Sequence, residues 1–280
     1  MTTLRRDLSL VTTLLLPSWS EGPTAGADPI DAAADAGYAG VQVFLPAQAE
    51  QARSRGLAVS SISPARSIAE VDALAAMWAD GGADSLTLHL GTGFETADEA
   101  TRLVEAVLKA QDHHGVRLLV ETHRGTLTQD PARTLALVAA FPELRFTADL
   151  SHWYTGVEMV YGDWEAKVAA LRPVFERCRM IHGRVSDPGC IQVVVDEGEV
   201  AGDGPSYVQH FAQLWAEVMS GCAAADDAPA ELPFVVELLP AASHYARTVV
   251  RDGQRTEEAD RWTQADVLWR LACAATEGTA

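Results

Sequence analysis

Cysteine is scarce and poorly spaced: the 280 residues hold four, Cys178, Cys190, Cys222 and Cys273, with no two at C-x-x-C spacing. In a chain this long they read as reduced, buried thiols, which excludes a disulfide framework and a zinc–thiolate site. Positive charge is also short. The 21 lysines and arginines face 39 aspartates and glutamates, for a net charge of −18. Such a surface repels a polyanion, so nucleic acid is not an expected partner, although a local arginine can still hold a small anion. Long apolar runs are missing, and none reaches the ~18–20 residues of a membrane span. No linker splits the chain, no fixed-period repeat stands out beyond a strand–helix alternation, and no tract has the bias of a disordered tail.

What is present is ample core material. Hydrophobic residues make up 48% of the chain, and the length suits one eight-fold barrel, for which about 250 residues is usual. The expectation is a single domain over residues 1–280, compatible with oligomerisation. Near the start, Arg5-Arg6 precede an apolar run over residues 8–16, and Ala25-Gly26-Ala27 follows. That order resembles a signal peptide. The run is better read as a first barrel strand, because cleavage would remove an element the fold needs, and the expected location is the cytoplasm.

Eight short β-rich runs alternate with alanine-rich helical stretches. The strands are placed at residues 8–15, 40–45, 57–62, 85–90, 116–121, 145–149, 179–184 and 234–239. Several are continuously apolar, as parallel strands covered on both faces are. Helices are placed at residues 29–36, 67–79, 96–114, 130–140, after Tyr161, at 206–220 and at 256–275. Asp28 with Pro29 and Asp130 with Pro131 supply start signals, and Gly37, Gly81 and Gly115 supply stops. Strict alternation argues for a parallel sheet, and eight units argue for an α/β fold closed as a (β/α)8 TIM barrel. Of two long loops, residues 185–205 fall on the catalytic side as a candidate lid, and residues 221–232 fall on the opposite, solvated side.

The last four strands carry the chemistry. They end in Val120-Glu121, Ala148-Asp149, Ile181-His182 and Val236-Glu237. A charge closing an apolar run is costly without a partner. At the mouth of a barrel the four side chains can converge on one cation. Three carboxylates and an imidazole suit one divalent ion: Mn2+ first, with Mg2+, Co2+, Fe2+ or an open zinc site as alternatives. Four protein ligands leave two coordination positions for the carbonyl and hydroxyl of a sugar-like compound.

These segments, E-T-H-R-G (residues 121–125), D-L-S-H-W (149–153), I-H-G-R (181–184) and V-V-E-L-L-P (235–240), together with G-Y-A-G-V-Q-V (37–43), resemble the sugar phosphate isomerase/epimerase branch of the xylose isomerase-like barrels. The resemblance spans the chain. It implies a divalent metal held by Glu121, Asp149, His182 and Glu237, and proton transfer on a sugar, sugar phosphate or polyol through a metal-chelated enediolate. Two departures are a long loop after the seventh strand and Gln42 where many relatives carry Glu. Glu121 and Glu237 are candidate acid–base groups, with His152 positioned to donate to the developing oxyanion. Arg184, His89, His123, His152 and Trp153 are candidate substrate-binding residues. The competing readings are a metal-dependent dehydratase or lyase on the same scaffold, a multi-metal nuclease that the acidic balance disfavours, and a non-catalytic accessory or ligand-binding barrel.

Overall fold

The computed structural model describes residues 2–203 and 205–277. Among them, eight parallel strands close in sequence order. They are β1 (Thr3–Ser9), β2 (Gly40–Val43), β3 (Ala58–Ala65), β4 (Ser85–Leu90), β5 (Arg117–Glu121), β6 (Phe146–Ala148), β7 (Cys178–Gly183) and β8 (Glu231–Val236). The ring is completed where β8 pairs back onto β1, Thr3 beside Glu231 through Leu8 beside Val236. The intervening helices are α1 (Pro29–Asp35), α2 (Pro46–Ser54), α3 (Ile68–Asp80), α4 (Ala97–His114), α5 (Pro131–Ala140), α6 (Ser151–Gly156), α7 (Trp164–Phe175), α8 (Ser206–Ala223) and α9 (Arg261–Glu277). The expected eight-fold TIM barrel is the observed architecture.

Local chemistry sets the helix starts. The side chains of Asp28, Ser67, Asp130 and Asp163 each accept a backbone N–H of the first turn, and Thr96 with Glu99 forms a reciprocal capping box. α4 stops where Gly115 takes φ 70°, a left-handed turn that costs glycine little. The apolar faces of strands and helices meet in one core whose largest buried side chains include Trp78, Trp215, Phe146, Phe211 and Phe234. No helix among the described residues is long and apolar enough to cross a membrane.

Several boundaries differ from expectation for identifiable reasons. The first strand is not residues 8–15. It begins at Thr3 and spends its polar half on a salt bridge, Arg5 gripping buried Asp7 through two bonds at 2.9 and 2.7 Å. The apolar run then turns into a 3-10 helix, Leu10–Thr13. α2 and α6 are short and lack a clear apolar stripe, so the sequence pattern does not mark them. The expected helix at 256–275 starts later, at Arg261, since residues before it form a hairpin of β9 (Thr248–Arg251) and β10 (Gln254–Glu257). Its two-residue turn is Asp252-Gly253, both at positive φ, the Asp-Gly pattern that marks a tight hairpin. That signal was legible in the sequence.

Residues 191–195 of the long segment after β7 pack against the barrel, while residues 196–198 beyond them are exposed. Ile191, Val193 and Val195 are buried. The Gln192 amide trades two hydrogen bonds with the backbone of Leu239, and Gln264 does the same with Val195. This stretch forms a wall beside the residues that follow β8. On the opposite side, residues 221–232 are partly taken up by α8 and β8, and Asp227 in the remainder pairs with Arg145 and Arg179.

Candidate metal centre

Each of the four strand-end residues is delivered by its own backbone device. Glu121 is the last residue of β5, and the Thr128 hydroxyl donates to its carbonyl. Thr122 donates its hydroxyl to the Asp149 carbonyl at 2.9 Å, tying the ends of β5 and β6 together. Asp149 accepts the Ser151 N–H at 3.1 Å, which fixes its carboxylate at the start of α6. His182 lies in β7 ahead of Gly183, where any Cβ would come within 2.5 Å of the Phe234 ring. Glu237 follows β8, and the next residue, Leu238, donates its N–H to Thr12 Oγ1 at 3.0 Å. The outcome is convergence: one ligand atom from each of Glu121, Asp149, His182 and Glu237 lies within 4.8 Å of the other three.

The cluster has the charge and the unmet bonds that a dication would satisfy. Three carboxylates are opposed by a single guanidinium. Arg184, 1% exposed, bonds Asp149 and also Glu237 Oε2 at 2.6 Å, both through Nη2. His182 Nδ1 approaches Glu121 Oε2 to 3.5 Å and Glu237 Oε2 to 3.6 Å, yet it and Glu121 Oε1 are buried without a hydrogen-bond partner. Buried polar atoms are rarely left unpaired without a functional reason. An oxygen-rich set with one imidazole fits a hard or borderline divalent ion.

The electrostatics agree with that shortage of positive charge. Burial pushes the His182 imidazolium down, but Glu237 and Glu121 outweigh it and hold its pKa up at about 9. His89 is raised in the same way against its burial, by Glu121, whose Oε2 lies 3.0 Å from its Nε2. Glu121 is held well below the ordinary carboxylate range despite its burial, by the two histidines. Burial moves His152 and His123 the other way. His152 falls well below 6.5 and His123 falls to about 4, so both rings are neutral near pH 7.

Behind His182 lies Gln42 of β2, fully buried, its amide nitrogen 3.0 Å from His182 Nε2 and its Oε1 unpartnered. A metal at Nδ1 needs the ring proton on Nε2, and the Gln42 carbonyl oxygen accepts it once the amide is turned. Gln42→Leu should therefore weaken Mn2+ binding by about 10–100-fold, and Gln42→Glu should strengthen it. Calorimetric Mn2+ titration of the three proteins checks the order.

The remaining candidates separate. His89, His123 and His152 form a ladder of tilted rings at the mouth, with ring centres 4.2 and 3.8 Å apart. His89, Glu121 and His123 also bring one ligand atom each within 4.8 Å. Both ring nitrogens of His152 are buried and unpartnered. Trp153 does not reach the mouth. It is fully buried in the core, its indole N–H donating to the Thr128 carbonyl at 2.8 Å, so it offers no face to a ligand. This corrects its expected place: successive residues on α6 point apart, and the His152 position takes the mouth. Two residues went unforeseen. The ring of Tyr245 stands 6.4 Å from His152, and the guanidinium carbons of Arg184 and Arg124 lie 4.9 and 5.3 Å from its centre. Arg124 was visible within E-T-H-R-G, but Tyr245 sits in an irregular stretch beyond β8 with no motif to flag it.

No family model matches the chain, and no curated protein is matched by it. Solved structures do match over its whole length. An L-ribulose 3-epimerase is 15% identical with TM-score 0.58, covering 99% of this chain and 97% of the other. A xylose isomerase domain protein from Planctomyces limnophilus is 15% identical with TM-score 0.57 over 99% and 97%. A xylose isomerase-like TIM barrel protein from Mycobacterium smegmatis, solved in complex with magnesium, is 12% identical with TM-score 0.55 over 100% of both chains. The protein thus has the fold of the xylose isomerase-like TIM barrels. Its neighbours within that fold include sugar isomerase and epimerase proteins.

Proposed function

We propose that this protein is a divalent-metal-dependent isomerase or epimerase acting on a sugar-like hydroxy-carbonyl compound, with Glu121, Asp149, His182 and Glu237 holding one ion, Mn2+ in first place. The observation that carries the reading is the convergence of these four side chains with two unmet buried atoms among them. The magnesium bound to a neighbour of the same fold supports it. When bound, the ion supplies Lewis acidity to a substrate carbonyl oxygen.

The chain's own residues do the rest. Glu121 ends β5 and Glu237 follows β8, so their carboxylates approach the mouth from different parts of the ring. One removes the proton beside the carbonyl. If the other returns it on the opposite face the centre inverts, and if the same group returns it to the neighbouring carbon an aldose becomes a ketose. His152, neutral and buried, donates an N–H to the oxygen that gains charge. Arg184 keeps Asp149 and Glu237 in place through Nη2 and retains Nε and Nη1, both buried and unpartnered, for a substrate oxygen. His89 and His123 hold hydroxyls.

The test is proton exchange. Protein loaded with Mn2+ in deuterated water should place deuterium beside the carbonyl of a compound drawn from a panel of free and phosphorylated aldoses and ketoses, read by mass and NMR. Rigorous chelation should abolish that exchange. Full activity after chelation would refute the metal reading.

A further inference from the structure

The polar groups around Tyr245 point to the chemical class of the substrate, an inference that rests on the metal reading above. Arg124 is exposed at the mouth, on the loop after β5. The turn carrying it is fixed: Thr126 donates to the His123 carbonyl at 2.7 Å, and His123 Nδ1 bonds the Arg124 carbonyl. The guanidinium rests against the Tyr245 ring, and among the described residues no carboxylate forms an ion pair with it. Arg124 thus places a positive charge without a carboxylate partner beside a candidate active site. Arg184 lies against the same ring and carries two buried donors, Nε and Nη1, that meet no acceptor.

Charge bookkeeping gives the direction. Once a dication joins the cluster, three carboxylates stand against that ion, Arg184 and Arg124, leaving one positive charge in excess. The surplus is matched by the surplus of donors: the two guanidinium groups have N–H bonds to give and no lone pairs to offer. A neutral sugar hydroxyl both gives and takes a hydrogen bond, whereas a carboxylate or phosphate only accepts and brings the missing negative charge.

We propose that Arg124, held against Tyr245, forms an oxyanion pocket with Arg184, and that the substrate is an acidic hydroxy-carbonyl compound, a sugar acid or sugar phosphate rather than a neutral sugar. Three probes share one head and differ in the tail: dihydroxyacetone, dihydroxyacetone phosphate and hydroxypyruvate. Calorimetry on the full Mn2+-loaded chain should show at least one acidic probe binding about tenfold or more tightly than dihydroxyacetone. The tail that gains identifies phosphate or carboxylate as the group recognised. Arg124→Ala should erase the preference while leaving Mn2+ and dihydroxyacetone binding unchanged, and Arg124→Lys should restore part of it. If the wild type takes up Mn2+ but binds all three probes alike, or Arg124→Ala keeps the full preference, the pocket is overturned and the metal reading stands. If the chain takes up no Mn2+ yet prefers the acids through Arg124, the metal reading falls and the pocket stands.

Discussion

Glu237→Gln should lower deuterium exchange into substrate by about 10²–10⁴-fold while the chain still takes up Mn2+. The substitution keeps shape and an oxygen. Arg184 can still donate to that oxygen as it now does to Glu237 Oε2 at 2.6 Å, and a carbonyl oxygen remains a serviceable ligand for a hard ion. What disappears is the negative charge and the basic lone pair. On the proposed mechanism one of two proton-moving groups is lost, so turnover falls far more than metal content. Exchange followed by NMR, beside metal content by elemental analysis, separates these effects. Undiminished exchange would remove Glu237 from the chemistry, and equal loss of metal and activity would reduce it to a ligand.

Arg261→Met should destabilise the whole barrel by about 3–5 kcal/mol, roughly 10 °C in Tm for a chain of this size. Arg261 is 2% exposed. It donates to Glu257 at 2.8 Å, to the Thr12 carbonyl at 2.5 Å and to the Leu14 carbonyl at 2.6 Å. One side chain thereby joins the start of α9, the end of the hairpin strand β10 and the chain leaving β1. These join the barrel where β1 meets β8, and Leu238, next to Glu237, bonds Thr12 in the same place. Methionine fills most of the volume but leaves two carbonyls without donors and a buried carboxylate without its counter-charge, held only by the Ala241 N–H at 2.9 Å, and the charge left behind dominates the cost. Arg261→Lys should recover only part of the loss, since one ammonium cannot span three acceptors. Thermal unfolding of the three proteins decides it. A Tm within about 2 °C of wild type for Arg261→Met would show that the clamp is dispensable.

The candidate ligands were legible because a charge at the end of an apolar run is anomalous within its own neighbourhood. Glu121, Asp149, His182 and Glu237 each broke such a run, and a common cause was the economical explanation. Their surroundings were not legible. Gln42 lies 140 positions from the His182 ring it abuts, and Arg184 bridges two carboxylates drawn from different strands. Trp153 stands in the sequence as a candidate substrate-binding residue beside His152, yet one residue of helical rotation puts it in the core. The apolar run at residues 8–16 looked like a strand, but the pairing strand lay in the polar residues before it, because Asp7 could be buried once Arg5 neutralised it.

By itself the sequence determined the alternation of strands and helices, the closed parallel barrel they imply and four ionisable groups at the ends of its last strands. All of these follow from periodicity, capping residues and the cost of isolated charge, which act over a few neighbouring residues. Only the tertiary structure decided that the four groups lie within reach of one ion, that Arg184 joins them, and that Tyr245 and Arg124 stand over the mouth. Those are distances between segments remote in the chain, fixed by closure of the ring and by which donor reaches which acceptor, and no local pattern encodes them.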